Sequence, residues 1–127
     1  MKIQLAYKFT GENKGKLLEL LGKIKEILEE KHDVYIPALN KEKPVDEAEI
    51  LIDTFRHIDE ADVLVAIIRS NEKSEGMLLE IGYALGKNKE VIAIINKDVV
   101  GTRVGGIISK AIIFSDEEDL LNKMRDI

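Results

Sequence analysis

Along the chain, the spacing of apolar residues alternates between the pattern typical of strands and the pattern typical of helices. Short apolar stretches typical of buried strands cover residues 2–9, 33–37, 62–68, 90–96 and 111–114. Segments with apolar residues at helical spacing cover residues 17–30, 45–61, 74–87 and 116–127. The pattern therefore predicts strands that alternate with helices over the whole sequence.

Such alternation indicates βαβ units and a mainly parallel sheet with helices on both faces. We expect a three-layer αβα domain, flavodoxin-like or Rossmann-like, with a five-stranded sheet that is mainly parallel. Because no linker or repeat interrupts the pattern, residues 1–127 are predicted to form a single domain. Ligands of such sheets bind at the carboxyl ends of the strands, which points to the loops 7–13 and 69–76.

Composition narrows the possible functions. The net charge of −5 disfavours non-specific nucleic-acid binding, and the absence of cysteine excludes disulfides and thiolate chemistry. The two histidines, His32 and His57, are isolated; each is best explained by solvent exposure or a helix-end role, so no metal site is predicted. No apolar run approaches the roughly 20 residues of a membrane span, and the first residues alternate too much for a signal peptide. We therefore expect a cytoplasmic protein.

The third predicted helix, "SEGMLLEIGYALGK", carries a carboxylate at the edge of its apolar stripe. At about 100° per residue, Gly76, Glu80 and Tyr83 share one flank of that stripe. Ser74 is a natural N-cap, and the free N–H groups near Gly76 attract anions. Spacing alone is equally compatible with a surface glutamate. The stripe itself is Met77, Leu78, Ile81, Ala84 and Leu85. Gly82 and Gly86 lie on another side of the helix, where they are predicted to allow close packing.

The loop after the first strand, "KFTGEN", is a second candidate for anion binding. Its Lys8, Thr10 and Gly11 are predicted to hold phosphate, in part through backbone N–H groups. The alternative is that Thr10 simply caps the following helix. The loop also resembles the phosphate loop of flavodoxins, but six aromatic residues and no Trp leave little to sandwich a flavin. No organic cofactor is therefore predicted.

Residues 60–95 resemble the nucleoside 2-deoxyribosyltransferase family. The matching features are an apolar strand after "AD", a loop, the segment "EIGYALGK" and a further apolar strand. The resemblance implies that Glu80 is the nucleophile that attacks C1′ of the sugar. It also implies that Gly76 leaves room for the sugar, and that Tyr83 orients Glu80 or contacts the sugar.

Ser74, six positions before Glu80, selects a branch of that family. It resembles the 2′-deoxynucleoside 5′-monophosphate N-hydrolases, in which this serine contacts the 5′-phosphate, whereas the transferases carry Asp. The resemblance thus implies hydrolysis of the N-glycosidic bond of a (deoxy)nucleoside 5′-monophosphate, through a glycosyl-enzyme intermediate on Glu80. It also implies a homodimer that completes its sites across subunits, and neither a metal nor a membrane or nucleic-acid partner.

Three positions depart from the family pattern. Thr54 stands where the family has Asp, so it can hold the ribose or Glu80 but carries no charge. Tyr7 occupies the slot of a small residue, where it either stacks on a base or blocks the pocket. Gly105 or Gly106 replaces a second phosphate-binding serine; Arg103 and Ser109 are possible substitutes. Two alternatives follow, namely a nucleoside deoxyribosyltransferase and a catalytically inactive nucleotide-binding or sensing module.

Overall fold

The computed structural model describes residues 1–40, 46–100, 102 and 104–127. Five strands alternate with four helices. The strands are β1 (Lys2–Tyr7), β2 (Asp33–Tyr35), β3 (Val63–Ile68), β4 (Glu90–Asn96) and β5 (Lys110–Phe114). The helices are α1 (Lys14–Glu29), α2 (Glu47–Glu60), α3 (Glu75–Gly86) and α4 (Glu117–Arg125), and short 3-10 helices cover Pro37–Leu39 and Val104–Gly106.

All strand pairs of the sheet are parallel, in the order β2-β1-β3-β4-β5. This order is the flavodoxin-like one, with the topological switch point between β1 and β3. The predicted three-layer α/β fold is therefore confirmed. The loops 8–13 and 69–74, which follow β1 and β3, leave the sheet at this switch point.

Alternate side chains of the strands supply two apolar layers. Ile3 and Leu5 of β1 pack with residues of α1 and α4 on one face of the sheet, and Ala6 packs with residues of α2 and α3 on the other. All six residues of β3 are buried, as expected of a central strand that is covered on both faces. The site described below lies at the carboxyl end of β1, where residues of this strand meet α2 and α3.

The start of α1 differs from the prediction. Asn13 caps this helix, because its side chain accepts a hydrogen bond from the Lys16 N–H group. Thr10 is therefore not the cap, and β1 ends at Tyr7 rather than at residue 9. The segment between them turns at Gly11, whose φ of +82° lies in the left-handed region.

The apolar residues of α2 do not all face the core. Thr54 is 3% exposed, whereas the apolar Ile52 is 49% exposed. The Thr54 hydroxyl donates to the Ile50 carbonyl oxygen at 2.9 Å, so burial leaves its donor satisfied. His57 was expected in solvent but is half-buried, with its ring stacked on Tyr35 at 3.6 Å between centroids.

The apolar stripe of α3 is narrower than predicted. Met77, Ile81 and Ala84 are buried, but Leu78 is 42% exposed. A Cβ atom built on Gly82 or Gly86 would meet nothing within 4 Å, so these glycines do not serve close packing in this chain. Within the part of the chain that the structure describes, no helix has the length and apolarity needed to cross a bilayer.

We expect Gly11→Ala to destabilise the protein by about 1–2 kcal/mol. A Cβ atom there combines a φ of +82° with a 3.3 Å approach to the Lys8 ammonium nitrogen. Gly22→Ala is the control, because its Cβ would meet nothing within 4 Å and α1 would gain roughly 0.5–1 kcal/mol of helix propensity. Urea unfolding checks both; an unchanged midpoint for Gly11→Ala contradicts the prediction.

Candidate active site

A largely apolar cavity of about 300 Å³ opens at the carboxyl end of β1. It lies between the end of that strand, the 3-10 helix at 37–39, the first turns of α2 and the middle of α3. Its lining residues are Leu5, Tyr7, Phe9, Pro37, Ala38, Glu47, Ile50, Thr54 and Glu80. The structure thus brings together three of the predicted site residues, Tyr7, Thr54 and Glu80.

Glu80 is half-buried at the wall of the apolar cavity. Burial raises its pKa from 4.5 to about 8. Among the described residues, none donates a hydrogen bond to this carboxyl group. The acid is therefore mostly protonated at neutral pH in the free protein, and its carboxylate, once formed, is poorly solvated.

Tyr7 forms one wall of the cavity. Its hydroxyl oxygen accepts a hydrogen bond of 2.7 Å from the Ala38 N–H group. Burial raises the pKa of Tyr7, although the Ala38 bond acts in the opposite direction, and the nearby Glu80 raises it further. The phenol thus keeps its proton and can donate a hydrogen bond towards the cavity. The ring leaves a cavity open beside Glu80 instead of filling it.

Thr54 reaches the same cavity from α2. Its hydroxyl proton is committed to the Ile50 carbonyl oxygen, so its oxygen can only accept a further hydrogen bond. A hydroxyl group of a ligand is a suitable donor. Thr54 thus offers an acceptor where the related family carries a charged Asp.

Ser74 and Gly76 lie at the N-terminus of α3, outside the lining of this cavity. The Ser74 hydroxyl oxygen accepts from the Met77 N–H group at 3.2 Å, which confirms the predicted cap. Ser74 lines a separate cavity of about 280 Å³, together with parts of the loops after β3 and β4. A Cβ atom on Gly76 would meet nothing within 4 Å, so the approach to this helix end is open.

Tyr83 does not join the cavity. Its hydroxyl donates to a carboxylate oxygen of Asp59 at 2.8 Å, and its ring stacks on Phe55. That hydrogen bond is the main reason why the pKa of Tyr83 is raised. In this arrangement Tyr83 does not orient Glu80, contrary to the prediction.

Lys8 connects the two loops at the switch point. Its ammonium nitrogen donates to the Thr10 carbonyl oxygen at 2.7 Å and lies 3.2 Å from a carboxylate oxygen of Glu72. Glu12 approaches the same nitrogen at 3.8 Å. The loops after β1 and β3 therefore meet as predicted, but the ammonium group is engaged by carboxylates.

The possible substitutes for the second serine are less informative. The Ser109 hydroxyl oxygen accepts from the Val91 N–H group at the amino end of β4, away from the Glu80 cavity. Gly105 and Gly106 belong to the 3-10 helix at Val104–Gly106. Arg103 lies outside the described residues.

Several wall residues were missed by the sequence analysis. Phe9, Pro37 and Ile50 are apolar, and Ala38 acts through its backbone, so none carries a chemical signal. Glu47 was counted only as part of an amphipathic helix. The aromatic residue Phe9 within a loop was the one available hint, because loop aromatics often face ligands. Across the described residues, no group of three or more His, Asp or Glu is arranged to hold a metal ion.

Comparison with known proteins identifies a family and a fold. The sequence model described as "Nucleoside 2-deoxyribosyltransferase" matches residues 7–124. A comparison with curated protein sequences found no match.

Among solved structures, the chain is similar to the CMP N-glycosidase BcmB of Clostridium botulinum. The two share 20% sequence identity and superpose with a TM-score of 0.73, and the match covers 98% of this chain and 97% of that chain. It is also similar to a 2-deoxyribosyltransferase from Bacillus psychrosaccharolyticus, with 22% identity, a TM-score of 0.72, and 96% and 91% covered. A conserved protein from Enterococcus faecalis V583 gives 20% identity, a TM-score of 0.69, and 99% and 98% covered. At these identities the likeness establishes the fold.

Glu80→Gln should stabilise the folded chain at high pH more than at low pH. The pKa of Glu80 is about 8 in the folded protein and 4.5 in the unfolded chain. The contribution of this group to stability is therefore fully present below pH 4.5, where the carboxyl group is protonated in both states, and it is lost as the pH rises to 8. Glutamine does not ionise, so the free energy of unfolding of the variant relative to wild type should grow by on the order of a few kcal/mol across this window.

Denaturant unfolding at pH 5, 6.5 and 8 measures this difference. Glu75→Gln, at an exposed position one turn earlier, is the control and should show no such trend. A wild-type-to-variant difference that stays constant with pH would contradict the burial of an ionisable Glu80.

Proposed function

The chain belongs to the nucleoside 2-deoxyribosyltransferase family, and on that premise we propose that it hydrolyses the N-glycosidic bond of a nucleoside 5′-monophosphate. The family, whose members transfer or hydrolyse at this bond, gives the reaction class. The observation that carries the proposal is the unpartnered carboxyl group of Glu80 in a largely apolar cavity. The Clostridium botulinum neighbour, which is named for action on CMP, supports a nucleotide as the substrate.

Glu80 acts as the nucleophile in this proposal. Its carboxylate forms a bond to C1′ as the bond between C1′ and the base breaks, and the base leaves with the electron pair. The transition state carries positive charge on the sugar, which is attracted strongly to a carboxylate in surroundings of low polarity. Because Glu80 has no competing donor among the described residues, that attraction arises only when the sugar cation develops.

Water then attacks C1′ and displaces the Glu80 oxygen, which leaves as the carboxylate, and the proton that the water loses goes to the nitrogen of the departed base. Tyr7, whose phenol keeps its proton, faces the cavity and donates a hydrogen bond to the sugar. Thr54 accepts one from a sugar hydroxyl. Phe9 and the ring of Tyr7 provide the aromatic surface for the base.

The 5′-phosphate binds at the N-terminus of α3. There Ser74 offers a hydroxyl group, and Gly76 leaves its backbone N–H group accessible. The helix dipole favours a dianion at this end. The family resemblance adds a homodimer to the proposal, and Leu78 and Leu79, which are 42% and 46% exposed on α3, are apolar side chains that a second subunit would cover.

Incubation with a panel of nucleoside and 2′-deoxynucleoside 5′-monophosphates should release free base, which chromatography detects. Glu80→Gln should lower the rate by about 10³-fold or more, because the nucleophile is lost. For wild type, kcat/KM should rise with pH up to the Glu80 pKa of about 8 and then level off, because only the carboxylate attacks.

Glu75→Gln is the matched control and should keep its activity. Base release that persists in Glu80→Gln, or a rate that falls as pH rises towards 8, would remove Glu80 from the role of nucleophile. No release from any nucleotide, with binding retained in calorimetry, would favour the inactive nucleotide-binding module.

Ser74→Ala should impair the reaction with CMP and not the reaction with cytidine. The loss of one phosphate contact should raise KM for CMP by about tenfold and leave kcat/KM for cytidine nearly unchanged. Since Ser74 also caps α3, thermal unfolding must be measured alongside, and Ser74→Gly, which caps almost as well, separates the two effects. Equal losses for CMP and cytidine would show that Ser74 acts only on the helix.

A further inference from the structure

The contact between Lys8 and Glu72 is a direct polar link between the loops after β1 and β3. The ammonium nitrogen lies 3.2 Å from the Glu72 carboxylate, and the side chain of Lys8 is only 15% exposed. Its bond of 2.7 Å to the Thr10 carbonyl oxygen fixes it to its own loop. The ammonium group is therefore held in place beside the loop that ends at Ser74.

Glu72 is the exposed half of this pair. Its side chain is 77% exposed, and exposed ion pairs contribute about 0–1 kcal/mol because water and salt compete for them. Glu12 also lies 3.8 Å from the ammonium nitrogen, so two carboxylates surround one cation. The cluster has an excess of negative charge, which repels an approaching anion as long as Glu72 remains in place.

The position of Glu72 relates this cluster to the helix end. Glu72 precedes the Ser74 cap by two residues, and its N–H group donates to the Ser70 hydroxyl at 3.3 Å. An anion at the N-terminus of α3 would thus lie next to the ion pair. A phosphate dianion carries more charge than a carboxylate and offers more acceptor oxygens to an ammonium group.

We propose that Glu72 occupies Lys8 in the free protein as an internal anion, and that the phosphate of the ligand replaces it. Lys8 then contacts the phosphate from the β1 side while Ser74 and the helix end contact it from the α3 side. Glu72 thereby sets the affinity for phosphorylated ligands and moves away with its loop when they bind. This inference rests on the proposed phosphate site at α3 but not on any bond cleavage.

The test is a double-mutant cycle on Lys8 and Glu72, read out by ligand binding. Calorimetry measures the Kd for CMP, for cytidine and for inorganic phosphate, with Glu80→Gln present throughout so that no ligand is cleaved. The variants are Glu72→Gln, Lys8→Met and the combination of both. Glu75→Gln removes one exposed carboxylate from the first turn of α3 without touching Lys8, and it reports the effect of charge alone.

Glu72→Gln should tighten the binding of CMP and phosphate by about three- to tenfold and leave cytidine unchanged. Lys8→Met should weaken CMP binding by about tenfold or more. In the Lys8→Met background, Glu72→Gln should change the Kd of CMP by less than about twofold, because there is no ion pair left to displace. Circular dichroism melts confirm that each variant is folded.

Two results would overturn the inference. One is a change in the Kd for CMP on Glu72→Gln that is no larger than the change on Glu75→Gln, or that is the same with and without Lys8→Met. The other is the absence of any binding of CMP and phosphate. A failure of the proposed function can be told apart from a failure of this inference. If wild type releases no base, the proposed hydrolysis is wrong, but the Kd values still show whether Lys8 and Glu72 act together on phosphate binding.

Discussion

The parallel pairing of β1 with β3 is the constraint on which the site depends. The two strands run in register from Ile3 opposite Val63 to Tyr7 opposite Ile67, so they end at the same edge of the sheet. The helix that follows β1 packs on one face and the helix that follows β3 packs on the other. The chain therefore diverges at this point and leaves a crevice, into which α3 places Glu80.

A poorly solvated carboxyl group makes the crevice chemically useful and costs stability. The apolar walls that raise the pKa of Glu80 also limit the contact of the reacting atoms with water. The free protein lowers this cost by keeping the acid protonated at neutral pH. A more polar pocket would make Glu80 easier to ionise, but the carboxylate would then be better solvated and a weaker partner for a sugar cation.

The sequence was sufficient to predict the fold, the two loops and the place of Glu80 on α3. These follow from periodicity and from residue types whose spacing is fixed by a single helix or strand. The orientation of Thr54 and Tyr83 was not predictable in the same way. Thr54 is buried by the packing of α2 on the sheet, and its hydroxyl tolerates burial because it bonds to its own helix. Tyr83 donates to Asp59, which is 24 positions earlier in the chain. Both orientations depend on how the helices pack, which the pattern of a single helix does not encode.

Apolar walls were equally hard to foresee. Phe9, Pro37 and Ile50 come from three different segments, and only the packing of the 3-10 helix against α2 and β1 assembles them. The interaction of Lys8 with Glu72 joins residues 64 positions apart, 72 minus 8, and the sequence indicated a phosphate role for Lys8 but no carboxylate partner. Long-range contacts of this kind become visible only after the sheet order is known.

The hydrogen bond between Tyr7 and Ala38 links the wall of the cavity to the segment after β2. That strand has only three residues and lies at the edge of the sheet, and the segment after it also packs Ala38 and Leu39 against the core. A ligand that accepts a hydrogen bond from the Tyr7 hydroxyl leaves the bond from the Ala38 N–H group to the same oxygen intact. Occupancy of the cavity therefore holds Tyr7 and this short segment together, and the hydrogen-exchange rate of the Ala38 amide should fall when a ligand binds.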